Sequence, residues 1–595
     1  MQRYKPYFIP AILALLSLFI LAWFAWPLSH LGTFHLRVVE AFVTDEGDYL
    51  WPMMQAVERG DYDLGIYSYG LLYYNIGFVL VDLFSWIPGL NQLSIIQIMR
   101  LESFGFLLAS TWLMAFYVRR FVGTKPAIWV FVLVLLSNLN LLSYSVMLHP
   151  DTCQLFFVIL AVYALAEFTQ KLRVPWLMLA GASAGLAFSA KFGGLALLPG
   201  MVILLLVYRN SLSLKWNPKL LSLGTLILGG TIVFLFDPQW ISRWVSEPEL
   251  LEALNHPLYV AQGLGICSII LSWVVLSKAI TSRFPGLLQL NQALFLTWVS
   301  VVLFLVGFAI GSPQSIPNYR FLEGFAAVTS IHEQGHWFVD DSGLMGWLDL
   351  LFSENSLGPI LGIFSLAGIV WAVGMTVRAK GRGVLSPVML PFWWIVSFLI
   401  IVVFRVGSKF LHYLIPIVPF LLFYVALAIT QLIPQTLGRL GNPIWHRTGN
   451  GVLFLLFTVT FLYQMREYKM ERHRFYYESG RMEAGYWLEK NIQEPVMILA
   501  DKYTYIPATP HIRHVSTFGI HPSHFEEFHP DWVLIHQEIY KEFSDSSRVS
   551  DYLYGQDVYL ERYHLYQQLL NDQHPQFEKV EDFGEVQIYR KRASK

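Results

Sequence analysis

Several short clusters of ionisable residues stand next to long apolar runs in this chain of 595 residues. The run Thr44-Asp45-Glu46-Gly47-Asp48-Tyr49 follows the first apolar segment closely. A carboxylate at such a boundary, partly stripped of water, gains proton affinity and suits the removal of a proton from an attacking hydroxyl. The competing reading is a solvated acidic loop. His149-Pro150-Asp151 is a tight junction between two apolar runs, in which Pro150 restricts the turn. Asp151 there caps the helix that begins at Thr152, presents a fixed acceptor, or does both. Lys191, within Ser189-Ala190-Lys191-Phe192-Gly193-Gly194, lies where cations are otherwise scarce, and so do Arg405, Lys409 and His412 within Phe404–Tyr413. Snorkelling towards lipid headgroups would explain Lys191. Cations aimed at a growing phosphate charge would stabilise a transition state, and together these exceptions favour an anionic ligand.

Two further groups have weaker claims. Arg100 and Glu102 fall inside an apolar run, two residues apart, so on a helix they do not face each other; a position near water at the end of the run is expected for both. His332-Glu333-Gln334-Gly335-His336 satisfies the H-E-x-x-H pattern of zinc proteases. Gly335 weakens the helix that would present both histidines, and no third ligand follows at a known spacing. A loop covering a substrate site is expected there instead.

These residues need elements to hold them. The chain is 55% hydrophobic and only 14% charged, where a soluble protein carries about a quarter charged residues. Mean hydropathy is +0.48. An integral membrane protein follows. A net charge of -1 removes the basic surface that nucleic acid would need. Cys153 and Cys267 form no disulfide or metal pattern. A span takes about 20 apolar residues. Runs of this kind are Tyr7–Leu28, Ile95–Val118, Ala127–Val146, Thr152–Phe168, Trp176–Ala190, Leu195–Tyr208 and Leu220–Phe236. They continue with Leu258–Ser277, Ala293–Ile310, Leu357–Val377, Val384–Phe404, Leu414–Ile433 and Gly451–Tyr463, about thirteen in all. The first is read as a retained span, because no small-residue cleavage site precedes His30.

With the N-terminus inside, the short inner segments hold 17 Lys and Arg and no Asp or Glu. The loops at 29–94, 237–257 and 311–356 are then outer and rich in carboxylates. Leu71–Ile87 is apolar enough to cross, but crossing would reverse every later loop, so a helix lying along the outer interface is expected. Val43–Gly60 falls within the same long first loop. Residues 1–465 form the membrane part, and 466–595 a small extracytoplasmic α/β domain. In that domain Arg481–Asn491 has helical spacing, and Val496–Ala500, Trp532–Gln537 and Val586–Arg590 read as strands.

Motif order and spacing resemble the GT-C superfamily of glycosyltransferases, in the branch of protein O-mannosyltransferases and lipid A aminoarabinose transferases. The matching features are Asp45-Glu46, then Ala56–Asp61 and the aromatic run Tyr67–Tyr74, then His149-Pro150-Asp151. Leu179–Leu186 leading to Lys191, Ser312-Pro313, Gly335-His336 and His412-Tyr413-Leu414-Ile415-Pro416 complete the series. The resemblance implies an inverting transfer from a polyprenyl-phosphate-linked sugar, at the outer face of a cytoplasmic (inner) membrane, to a lipid, glycan or protein hydroxyl. Asp45 would be the base or the carboxylate that orients the acceptor, with Glu46 and Asp151 as neighbours in the cavity. Lys191, Arg405, Lys409 and His412 would meet the carrier phosphate, and Tyr67, Tyr69, His149, Tyr413 and His336 would line the cavity. Relatives often carry Arg-Tyr where this chain has His412-Tyr413, which would shift the phosphate contact to Arg405 or Lys409. No cofactor is implied for certain, and a divalent metal stays open. A lipid-borne donor also answers a supply problem, because nucleotide sugars are made on the opposite side. The alternatives are a transporter or lipid flippase, a non-catalytic assembly subunit and, last, a zinc protease. The apparent lack of an inverted repeat, and polar groups gathered at one end of the spans, count against transport.

Overall fold

The computed structural model describes residues 5–593 except 43, 68, 85, 87–91, 210–216, 236, 238–247, 277–282, 285, 318–319, 323, 326–342, 379–385, 404–405, 407–408, 439–443 and 553. Six of its helices are long and apolar enough to cross a membrane, and seven shorter apolar helices accompany them. A helix satisfies all its backbone groups within one segment, which is why apolar runs in lipid adopt it. The chain is a multi-pass α-helical membrane protein with a small C-terminal sheet domain.

The membrane part opens with α1 (Lys5–Ile20), which runs through a π-turn, Leu21–Ala25, into Trp26–Ser29. Two short helices follow, α2 (Leu36–Phe42) and α3 (Thr44–Arg59), so the first loop is itself helical. Next are α4 (Leu72–Phe84) and the 30-residue α5 (Gln92–Phe121). The predicted span Ala127–Val146 is broken into α6 (Thr124–Leu136) and α7 (Leu139–Tyr144). Asn138 makes the break: its side-chain oxygen accepts the Leu141 amide at 2.7 Å, an N-cap that starts a new helix.

Helices α8 (Asp151–Lys171) and α9 (Val174–Ala190) pack side by side, and α9 lies along α13 (Gly286–Gly311). The latter contact explains the small residues of Leu179–Leu186. A methyl group at Gly181 would meet the Ser300 carbonyl, at Gly185 the Phe304 carbonyl, and at Gly307 the Ala182 carbonyl. Backbone-to-backbone packing of this kind drives association where lipid supplies no hydrophobic force. Between these helices lie α10 (Leu197–Tyr208), α11 (Pro218–Leu235) and α12 (Pro248–Leu276). After them come α14 (Gly343–Phe352), α15 (Gly358–Arg378), α16 (Leu390–Ile401), α17 (Val418–Leu427) and α18 (Ile444–Tyr477). Helix α18 continues without a break through position 465, where composition changes, to Tyr477.

Helix α19 (Gly480–Asn491) begins the C-terminal domain. Its five strands are β1 (Val496–Asp501), β2 (Ile512–Thr517), β3 (Trp532–His536), β4 (Phe577–Asp582) and β5 (Val586–Lys591), in the order β2-β1-β3-β5-β4. β1 runs parallel to β2 and β3, and β5 is antiparallel to β3 and β4. Alternation along the strands divides the core in two. Leu499, Val533, Ile535 and Tyr589 pack against Tyr559, Tyr566 and Leu569 of α21, whereas Ile498, Ala500, Leu534 and Ile588 pack against Ala484 and Leu488 of α19. Helix α20 is Pro522–Phe528 and α21 is Gln556–Leu570. The edge strands β2 and β4 escaped the sequence reading because they are half polar, as edge strands tend to be.

Arg481 fastens this domain to the membrane part. It is buried, with its guanidinium over the rings of Phe475 at 4.8 Å, Phe42 at 5.5 Å and Tyr503 at 5.7 Å. It donates to Glu538 Oε1 at 2.9 Å and to the Ala41 carbonyl at 3.4 Å. Arg37 Nη1 lies 2.8 Å from His514 Nδ1, and Lys502 Nζ lies 3.4 Å from Asp48 Oδ1. The first loop and the C-terminal domain are therefore at the same end of the helix bundle.

Candidate active site

The turn before α8 and the end of α9 bring a carboxylate and an ammonium together. Asp151 Oδ1 accepts from Lys191 Nζ at 2.8 Å, and both residues are buried. Asp151 is the first residue of α8, but Pro150 holds the cap position and makes no side-chain cap bond, so Asp151 does not cap the helix. Its second oxygen, Oδ2, lies 2.6 Å from His149 Nδ1. Lys191 does not snorkel: its ammonium sits over the rings of Tyr69 at 5.3 Å and Tyr413 at 5.5 Å. Gln154, one turn into α8, donates to the Lys191 carbonyl at 2.8 Å and pins the chain where α9 ends.

His412 closes the cluster from the segment before α17. Its ring is 5.7 Å from that of His149 and stacks on Phe410. Tyr144 Oη of α7 lies 3.0 Å from His412 Nδ1. Tyr69 stacks on Tyr49 of α3, which ties the group to the acidic first loop. Gly70 sets this approach: a methyl there would collide with the Ser189 carbonyl, so only glycine lets the Tyr69 segment lie against the end of α9. Six expected residues, Tyr69, His149, Asp151, Lys191, His412 and Tyr413, thus converge from four stretches of chain.

The other expected residues part company. Glu46 is fully buried against Arg100, with Oε2 to Nη2 at 2.6 Å and Oε1 to Nε at 2.9 Å, and Oε1 also accepts the Leu148 amide at 2.7 Å. Arg100 donates in addition to the Ser29 and Leu31 carbonyls. The expectation that Arg100 and Glu102 lie beside water is incorrect, since they are only 2% and 7% exposed. Arg100 is buried because it joins the end of the first span, α3 and the His149 loop at one point. Tyr67 belongs to a different cluster, donating to Asp63 at 2.8 Å and accepting from Arg320 at 2.6 Å. Asp45 lies in the first turn of α3. Lys409 stands one residue before Phe410. Arg405, His336 and the rest of His332–His336 lie outside the described residues. Among the described residues no three His, Cys, Asp or Glu gather closely enough to hold a metal ion.

Tyr144, Gln154 and Phe410 were missed from sequence. The signal for Gln154 was its place three residues after Asp151 in an apolar run. Tyr144 and Phe410 carried no such signal among so many aromatics.

Chemically, Lys191 has three N–H donors, and Asp151 engages one of them. The ring faces of Tyr69 and Tyr413 hold the ammonium more weakly than an anionic oxygen would. An anion entering here would meet a cation already oriented by Asp151, with two imidazoles beside it.

The fold defines the class: a multi-pass α-helical membrane protein with a small C-terminal sheet domain, similar in fold to archaeal oligosaccharyltransferase. Residues 80–236 match the profile of the dolichyl-phosphate-mannose-protein mannosyltransferase family. The archaeal oligosaccharyltransferase AglB from Archaeoglobus fulgidus, in complex with an inhibitory peptide and a dolichol-phosphate, superposes with a TM-score of 0.51 at 11% identity, over 99% of this chain and 75% of that one. The apo form of the Archaeoglobus fulgidus oligosaccharyltransferase gives 0.50 at 12% identity, over 94% and 73%. ArnT from Cupriavidus metallidurans bound to undecaprenyl phosphate gives 0.43 at 14% identity, over 94% and 98%. No curated protein matches the chain in sequence.

Proposed function

We propose that this chain transfers a sugar from a polyprenyl-phosphate carrier to an acceptor hydroxyl at the outer face of a cytoplasmic membrane, with inversion. The observation that carries the reading is Lys191, a buried ammonium at the end of a membrane helix, held by Asp151 and flanked by His149, His412, Tyr69 and Tyr413. Ionisable groups at such depth are costly and generally mark a functional site.

In this reading the acceptor oxygen attacks the anomeric carbon as the bond from that carbon to the phosphate oxygen breaks. The acceptor proton passes to the Asp45 carboxylate. The carrier leaves as a phosphate monoester, and its added charge meets Lys191, with His412 beside it; Lys409 and Arg405, in the same stretch of chain before α17, are proposed as further phosphate contacts. Asp151 orients Lys191. Glu46 is a positioning residue, because its charge is spent on Arg100, and through the Leu148 amide it sets α3 against the His149 turn. The apolar flank of the bundle would hold the polyprenyl chain, at about 0.8 kcal/mol per buried CH₂.

The acidic first loop and the C-terminal domain share one end of the bundle, and 17 cations in the short loops of opposite parity favour an outer position for that end. The test is transfer in membranes supplied with a panel of radiolabelled polyprenyl-phosphate sugars. Incorporation from one donor, abolished by Asp45→Asn in a protein that stays membrane-inserted, is the expected result. Carrier-free flux of solute into vesicles would point to transport instead.

A further inference from the structure

A cavity of about 360 Å³ lies where α2 and α3 meet the C-terminal domain. Its walls include Arg37, Glu40, Asp48, Trp51, Lys502 and His514. That volume is in the range of small-ligand sites. The wall chemistry narrows the ligand. Two cations, Arg37 and Lys502, face two carboxylates, Glu40 and Asp48. Burial, with the nearby Arg37 charge, holds His514 down at about 4, so it is neutral at physiological pH. The charges balance. A phosphate would be repelled by the carboxylates and an ammonium by the cations, whereas a neutral group rich in hydroxyls both donates to carboxylates and accepts from guanidinium. Trp51, 40% exposed, and Tyr503 add aromatic surface for an apolar ring face.

Two independent features mark the cavity as more than a gap between domains. Tyr503 has a left-handed backbone, with φ at 70°, a conformation costly for a bulky residue and concentrated at ligand sites. The Lys502–Asp48 pair across the wall is solvent-exposed at 3.4 Å, and such a pair is weak enough to open for a ligand. Position adds to this. Asp48 follows Asp45 by about one helical turn, so the cavity wall and the proposed base belong to the same helix, α3.

We propose that this cavity is the acceptor subsite and that it takes a saccharide, so that the acceptor is a glycan and not a protein hydroxyl. The assignment rests on the glycosyl-transfer reading above and adds the acceptor class to it. The carboxylates of Asp48 and Glu40 accept sugar hydroxyls, Arg37 donates to them, and Trp51 supports one ring face.

The test uses purified full-length protein in nanodiscs and three probes: an array of defined oligosaccharides with hexose, hexosamine, pentose and deoxyhexose ends; a panel of Ser/Thr peptides; and undecaprenyl phosphate. The wild type should retain a subset of saccharides and no peptide. Trp51→Ala should weaken saccharide binding about tenfold or more. Asp48→Asn should weaken it as well, and both variants should keep their affinity for undecaprenyl phosphate. A wild type that binds undecaprenyl phosphate but no saccharide, saccharide binding indifferent to both substitutions, or peptide binding in its place overturns the assignment. Saccharide binding without undecaprenyl phosphate binding keeps the cavity assignment and sinks the donor assignment.

Discussion

If Lys191 receives the carrier phosphate and Asp151 merely aims it, removing either partner should have opposite effects on carrier binding. At an effective dielectric near 20, two unit charges about 4 Å apart interact by about 4 kcal/mol. A hydrogen bond to a charged group nets about 1.5–3 kcal/mol after desolvation. Lys191→Met should therefore weaken undecaprenyl phosphate binding about 10- to 100-fold. Asp151→Asn removes the competing carboxylate from an ammonium that Asp151 Oδ1 now holds at 2.8 Å, so affinity should hold or rise. Breaking a buried pair also destabilises, so thermal unfolding must be followed in parallel, with Lys191→Arg as the charge-preserving control. Calorimetric titration of undecaprenyl phosphate into nanodisc-embedded protein gives the affinities. If Lys191 served only to neutralise Asp151, the double variant Lys191→Met/Asp151→Asn would regain stability and none of the three would alter carrier affinity. Wild-type affinity in a folded Lys191→Met protein would refute the phosphate role.

The Glu46–Arg100 pair should behave as a structural clamp: Glu46→Gln or Arg100→Met should each cost about 3–5 kcal/mol, and the double variant less than their sum, in a double-mutant cycle of unfolding. Gly70→Ala should push the Tyr69 segment off the Ser189 carbonyl, lowering transfer with little change in secondary structure by circular dichroism. Asp501 is pushed up to about 7 by burial, against the lowering effect of its bonds to Tyr566 Oη and the His536 amide. A carboxyl raised in the folded state contributes stability below its unfolded value near 4, and loses it as pH rises through about 7. Asp501→Asn should therefore be more stable than wild type at about pH 8 and lose that advantage at about pH 4, as measured by thermal unfolding of the full chain. His536, held down at about 3 by burial and by Arg481, works in the opposite direction and remains in both proteins.

The legible part of the site was its local part. Lys191 stood out because it breaks the charge pattern of its surroundings, His149 and Asp151 because they form a tight junction between two apolar runs, and Tyr69 through the resemblance alone. Which residues share a cluster was not legible, because ion pairing across 40 or more positions is a packing outcome. Tyr67 and Tyr69, two residues apart in sequence, go to different clusters, one to Asp63 and Arg320 and the other to Lys191. Arg100 was misplaced near water because nothing local announces that Glu46, 54 residues earlier, will meet it.

Hydropathy alone determined that this is a multi-pass membrane protein, since no water-soluble packing could hide so many apolar runs, and the change in composition after Arg466 announced the α/β domain. Short runs rich in apolar residues were enough for the inner strands β1, β3 and β5, whose residues are largely buried. Tertiary structure alone decided that α9 and α13 touch backbone to backbone, that Glu46 is spent on Arg100, and that α3 and the C-terminal domain enclose a cavity. The physical reason is the same in each case: periodicity reports which way a side chain faces, whereas the partner it meets depends on how elements distant in the chain come together.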